Sequence, residues 1–243
     1  MKEANKMIQS YVALDLETTG LKAKTEKIIE IGAIKVIDNK IVDSINYLVN
    51  PKRPILERTT EITGITNDMV ADAPYIEDIV TEIFEFIGDL PLLGHKISFD
   101  YSFLKVLAVN NGFEFEKMGI DTLCIARALL PKDISRKLSS ICAYYDIETK
   151  SHRALNDAIA AHEIYQKMCS EYEDADCLDE MKKLVYVAKK ATPATKRQIE
   201  YLKKLADYHK IDIDSFPKDL SRSEASRLQD SIIAQYGKYE GSL

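Results

Sequence analysis

The sequence predicts an α/β fold: a mixed β-sheet covered by helices, followed by a small C-terminal helical module. Three observations predict it. The first fifty residues hold three runs rich in Val, Ile and Tyr, the composition of β-strands. From residue 76 onward short apolar runs alternate with stretches of helical periodicity, which asks for strands interleaved with covering helices. The charge also changes sign near residue 188. Residues 1–188 carry 22 Lys and Arg against 31 Asp and Glu, and residues 189–243 carry 11 against 8, so the tail is a different polymer from the body.

The strands are expected at YVALDL (11–16), KIIEIGAIKVI (27–37) and KIVDSINYLVN (40–50). Asp38-Asn39 between the last two makes a hairpin turn, so the three form a meander. Ile76, Ile79, Val80, Ile83, Phe84 and Ile87 recur at helical spacing and stop at Gly88, defining an amphipathic helix. PLLGH (91–95) reads as a short buried strand, and a helix follows from about Phe99 to Asn111, closed by Gly112. A short strand precedes Asp121, which with Thr122 caps the next helix. Further helices are expected near Leu138–Tyr145 and over Arg153–Tyr172.

The acidic stretch EYEDADCLDE (171–180) ends the body. These signals divide the chain into a main domain over 8–175, a helical linker over 176–191 that carries lysines, and a helical module over 192–240. Thr192-Pro193 is the expected cap and first turn of the module. Ile199, Leu202, Leu205 and Ala206 form one helical stripe, and Ser221 with Glu224 fits a capping box for a last helix carrying Ala225, Leu228, Ile232 and Tyr236.

With 46% hydrophobic and 30% charged residues the 243-residue chain buries a full core, which excludes wholesale disorder and collagen-like repeats. No window approaches the roughly 18 uninterrupted apolar residues of a membrane span. The start MKEANKMIQS lacks the apolar core of a secretory signal. The expected address is therefore the cytoplasm, with no membrane partner. Cys124, Cys142, Cys169 and Cys177 form no CxxC pair and are expected to be reduced, mostly core thiols. A net charge of −6 argues against holding nucleic acid by bulk electrostatics alone.

Asp15 and Glu17, two apart in a strand, point to one face while Leu14 and Leu16 point to the other. Such a pair is a solvated strand end or two oxygen ligands for a hard divalent cation. Asp100, in GHKISFD (94–100), sits at a helix start, where the helix dipole favours any carboxylate. His95, at an apolar strand end, reads as a hydrogen-bonded core or rim imidazole. In HRALNDA (152–158), Asp157 lies five residues beyond His152 and four beyond Arg153, a spacing that also suits a simple ion pair with Arg153. Each of these signals is ambiguous alone.

Their combination is not. D-x-E-T-T-G at 15–20, G-H-x-x-x-F-D at 94–100 and H-x-x-x-x-D at 152–157 resemble, in order and spacing, the DnaQ-like DEDDh 3′→5′ exonucleases. ITGITNDMV (62–70) is similar to a family turn followed by a capped helix, and the resemblance covers roughly residues 10–170. It implies a ribonuclease H-like fold. It also implies that Asp15, Glu17, Asp100 and Asp157 ligate two Mg²⁺ or Mn²⁺ ions, and that His152 is the general base. Thr18, Gly20 and Leu21 match the segment that receives the 3′-terminal nucleotide, with Leu21 as an apolar wedge, and His95 and Phe99 match residues beside that pocket. Lys96 departs from the Asn that many members carry there, which puts the nucleotide contacts at that point in doubt. Asp121 is left out of the site as a helix cap.

The function so implied is metal-dependent hydrolysis of phosphodiester bonds at a DNA 3′ end, single-stranded or frayed, releasing nucleoside 5′-monophosphates in proofreading or repair. The ETTG and ITGIT segments resemble polymerase proofreading domains. Related members trim RNA, so an exoribonuclease is the alternative. An adaptor whose C-terminal module recruits a replicative polymerase or another replication protein is a further one. Thr195 and the basic residues Lys196, Arg197, Lys203, Lys204 and Lys210 of that module are a solvated face, extra phosphate contacts or a docking surface.

Overall fold

The computed structural model describes residues 7–148, 153–212, 216 and 220–239. They divide into two compact units, residues 1–51 with 55–188 and residues 52–54 with 189–243. The first is built on a six-stranded mixed sheet. Its strands are β1 (Tyr11–Thr18), β2 (Ile28–Ile37), β3 (Lys40–Leu48), β4 (Leu92–Gly94), β5 (Met118–Asp121) and β6 (Lys182–Lys183). They lie in the order β3-β2-β1-β4-β5-β6, with β3, β2 and β1 antiparallel, β1, β4 and β5 parallel, and β6 antiparallel to β5. The meander turn places both Asp38 and Asn39 at positive φ, the conformation a tight hairpin needs and these residues tolerate.

The helices of this unit are α1 (Glu57–Thr63), α2 (Asn67–Val70), α3 (Ile76–Ile87), α4 (Ser98–Asn111), α5 (Thr122–Leu129), α6 (Leu138–Tyr144) and α7 (Ala154–Glu171). Alternation along β1 feeds two cores. Val12, Leu14 and Leu16 pack with residues of α3 and α4 on one face, and Tyr11 and Ala13 with residues of α5, α6 and α7 on the other. Thr66 caps α2 through the amide of Met69, and Asp121 caps α5 through the amide of Leu123. Both match the sequence expectation.

The expected linker over 176–191 is helical only in a 3-10 turn over Asp176–Leu178. Lys182 and Lys183 pair with Gly119 and Met118 as β6, and Leu184 packs over Gly119, where any side chain would meet it at 2.6 Å. The reason is local: Leu184-Val185-Tyr186-Val187 is β-branched and aromatic, and the free edge of β5 offers a ladder that an isolated helical turn lacks. The thiols are mostly in or against the core, as expected. Cys142 and Cys169 are buried, Cys177 is half-buried and Cys124 is exposed.

The second unit holds α8 (Lys196–His209) and α9 (Arg222–Tyr236), packed through Leu202, Leu205, Leu220, Ala225 and Ile232. The cap of α8 is Thr195, in a box with Gln198, rather than Thr192-Pro193, and Ser221 with Glu224 boxes the start of α9. Pro193 instead bridges to Ser221. A Thr followed three residues later by Gln satisfies two orphan amides reciprocally, which Thr192 cannot do. Arg197, Tyr201 and Lys204 share one side of an open groove of about 680 Å³ in this unit.

Candidate active site

Asp15 and Glu17 extend from β1 on the face covered by α7, at the carboxyl end of the strand. Asp157, in the first turn of α7 and buried, completes a group in which one carboxylate oxygen from each of the three residues lies within 4.8 Å of the others. The close approach depends on Gly32, which pairs with Asp15 across β2. A Cβ there would stand 2.0 Å from the backbone nitrogen of Leu155 and 2.3 Å from the carbonyl carbon of Ala154. The missing side chain lets the start of α7 rest on the sheet, which sets Asp157 beside β1. Asp100 lies outside the trio. It is buried, and its carboxylate accepts the amide hydrogen of Leu16 at 3.1 Å, so α4 is tied to the strand that carries the other two acids.

Burial pushes the Asp15 carboxyl well above the usual carboxylate range, and the charges of Asp100, Glu17 and Asp157 push it further. Burial and the charge of Asp157 raise Glu17 to about 7. Burial raises Asp100 to about 8, against the backbone hydrogen bonds that lower it. An all-oxygen set whose members repel one another in a desolvated crevice fits hard divalent cations, which offset the charge that burial makes costly.

The folded protein thus holds these protons more tightly than the unfolded chain does. The stability they contribute is complete below the ordinary carboxylate range and is lost as pH rises through about 7 to 8. The Tm in EDTA is therefore expected to fall by several degrees from about pH 6 to about pH 8.5, and saturating Mg²⁺ is expected to remove most of the fall. A metal-free Tm that stays flat over this range would mean that the acids ionise without cost.

Around the trio, the Thr18 hydroxyl donates to the Gly20 carbonyl at 2.8 Å, and Leu21 is 84% exposed, an unusual setting for a leucine. Phe99 is half-buried against Phe103. Both ring nitrogens of His95 are engaged, one with the Thr122 hydroxyl at 3.0 Å and one with the Arg136 carbonyl at 2.8 Å, which accords with a rim imidazole. Asp121 accepts from the amides of Lys96 and Leu123, the cap role expected of it. His152 lies outside the described residues. Arg153 does not pair with Asp157 as the helical spacing allowed. Its guanidinium goes to Glu30 at 2.7 Å, a buried acid outside the family motifs. Its signal was a lone charge inside the apolar run IIEIGA, followed two residues later by a strand glycine, the mark of a close backbone approach.

A mixed sheet flanked by helices with acids gathered at the carboxyl end of its first strand defines a nuclease-like α/β class. The chain belongs to the exonuclease family: the family model described as RNase_T, Exonuclease, matches residues 12–165. It is 41% identical over 167 residues to the DNA polymerase III PolC-type of Bacillus subtilis (strain 168), covering 67% of this chain and 12% of that protein. To the DNA polymerase III PolC-type of Thermotoga maritima it is 34% identical over 217 residues, covering 86% of this chain and 16% of that protein. The chain thus spans about an eighth to a sixth of the length of these relatives. Among solved structures, Exonuclease X in complex with 5′ overhanging duplex DNA is 30% identical with a TM-score of 0.53, covering 69% of this chain and 99% of that one. The nuclease domain of 3′hExo, a DEDDh family member bound to rAMP, shares the fold at 17% identity and a TM-score of 0.60, covering 75% and 100%. Among the described residues, no helix is long and apolar enough to cross a membrane.

Proposed function

We propose that this chain is a metal-dependent 3′→5′ exonuclease that acts on DNA 3′ ends and releases nucleoside 5′-monophosphates in replication proofreading or repair. The observation that carries the reading is the convergence of Asp15, Glu17 and Asp157 within 4.8 Å, with Asp100 tied to the same strand, in a member of an exonuclease family. Asp15, Glu17, Asp100 and Asp157 would hold two Mg²⁺ or Mn²⁺ ions. When bound, such ions supply Lewis-acid stabilisation of the attacking and leaving oxygens of a phosphodiester. The acids alone repel a polyanion, so substrate engagement is coupled to cation binding.

His152, as the neutral imidazole, accepts the proton of the attacking water. Water adds to the terminal phosphorus, the bond to the 3′ oxygen of the preceding nucleotide breaks, and the terminal unit leaves as a 5′-monophosphate. The exposed Leu21 packs against the terminal base, with Thr18, Gly20, His95 and Phe99 around it. The polymerase relatives and the DNA complex of Exonuclease X favour DNA over RNA. The test is mononucleotide release with Mg²⁺ from 3′-labelled single-stranded DNA, duplex DNA with a mismatched 3′ end, and RNA, beside gel shifts in EDTA. Faster release from the DNA substrates supports the reading. Faster release from RNA makes the chain an exoribonuclease, and binding without release makes it an adaptor.

By the charge split, the C-terminal module over 192–240, reached through the segment 176–191, adds phosphate contacts for long substrates to the nuclease domain over 8–175. Arg197 and Lys204 beside Tyr201 offer two cations and a stacking ring. In the full chain, the double variant R197Q/K204Q is expected to raise KM for 30-mers several-fold and to flatten its salt dependence, while kcat on a trinucleotide stays unchanged. An unchanged KM and salt slope would assign the basic face to solvent or to a replication partner.

A further inference from the structure

Glu30 is the most enclosed acid near the site. Its side chain is 0% exposed, and it stands opposite Glu17 in the register of β1 and β2. One of its oxygens accepts from Arg153 Nε at 2.9 Å and Nη2 at 2.7 Å. The other accepts from Arg153 Nε at 3.2 Å and from the backbone amide of Ala154, the first residue of α7, at 3.2 Å. A fully buried carboxylate is retained only when its lone pairs are taken up in this way.

Arg153 is the N-cap of α7, and its carbonyl accepts the amide hydrogen of Asp157 at 3.0 Å. One residue therefore grips β2 with its side chain and the backbone of Asp157 with its carbonyl. Gly32 removes the side chain that would hold α7 away, and the Glu30–Arg153 pair supplies the attraction. With its oxygens directed to Arg153 and the helix amide, Glu30 is drawn away from the cation-binding trio rather than added to it.

We propose that Glu30 and Arg153 are positioning residues that set Asp157 at metal-binding distance from Asp15 and Glu17. This rests on the reading that the trio holds divalent cations. The metal-induced rise in Tm and its Mn²⁺ and Mg²⁺ midpoints, measured on E30Q, R153Q, R153K and E30Q/R153Q, test it without relying on turnover. The midpoint is expected to rise about 10-fold or more in E30Q and R153Q, the range typical of residues that orient metal ligands. R153K, which keeps the charge but not the fork, should fall between wild type and R153Q. The cation midpoint for kcat should move in parallel, with oligonucleotide KM at saturating cation changed by less than about 2-fold.

E30Q/R153Q leaves no unpaired buried charge and keeps the test open if R153Q fails to fold. Variants that lose Tm without cation but keep the wild-type midpoint would overturn the proposal and leave the pair a plain structural clamp. A wild-type protein that shows nuclease activity but no cation-dependent Tm also overturns it. No cation response together with no nuclease activity sinks the parent reading as well.

Discussion

Asp15→Asn and Asp157→Asn are each expected to lower kcat at saturating Mg²⁺ by more than about 10²-fold while leaving the fold intact. Each exchange keeps volume but removes a charged oxygen ligand, and losing a metal ligand costs several kcal/mol of transition-state stabilisation. Because burial among like charges raises the Asp15 carboxyl, its neutral variant should melt higher than wild type in EDTA at alkaline pH, where the wild-type acids are forced to ionise. His152→Ala belongs to the same series with a different signature. A positioned general base contributes about 10²–10⁴ in rate, so turnover falls by that factor while cation binding stays. Either Asn variant keeping more than about a tenth of wild-type kcat would remove that residue from the proposed machinery. A His152→Ala protein within about 10-fold of wild-type kcat would do the same for His152.

Gly32→Ala is expected to be the most damaging added methyl group among the described glycines. The new Cβ meets backbone atoms of Ala154 and Leu155 at 2.0 to 2.4 Å, and backbone cannot rotate away as the end of a side chain does. Either α7 lifts from β2 or β2 bends, at a cost at or above the upper end of the roughly 1–3 kcal/mol typical of overpacked cores. The Tm should drop by roughly 5–10 °C. Activity should fall even below the melting range, because a shift near 1 Å in a ligand-bearing helix costs on the order of 10²-fold. A Gly32→Ala protein with wild-type Tm and kcat would show that the contact is soft. The comparison with Gly64 is instructive, since there a Cβ would meet nothing within 4 Å, and only the left-handed backbone opposes a side chain.

The gathering of Asp15, Glu17 and Asp157 was legible because their spacing matched a family order, and the meander because Asp38-Asn39 turns in one way, a local signal. What escaped the sequence was decided by distant partners. The segment after Glu180 reads as helix from its lysines, yet it becomes β6 because β5 is waiting with an open edge. Arg153 has a helical partner four residues away and prefers a buried acid on another element, since Glu30 would otherwise be enclosed without a counter-charge. Thr192-Pro193 carries the composition of a helix start, but the reciprocal hydrogen bonds of Thr195 and Gln198 win.

The clamp between Glu30 and Arg153 closes a span of 123 positions. Asp15 and Glu17 leave the ribosome well before α7, and the third member of their trio arrives only with that helix. A nascent or truncated chain that ends before it carries Asp15, Glu17 and Asp100 without Asp157. On the proposed function, competence to cut is tied by topology to completion of the sheet and of α7: the trio cannot gather until the strands that face this helix have found one another.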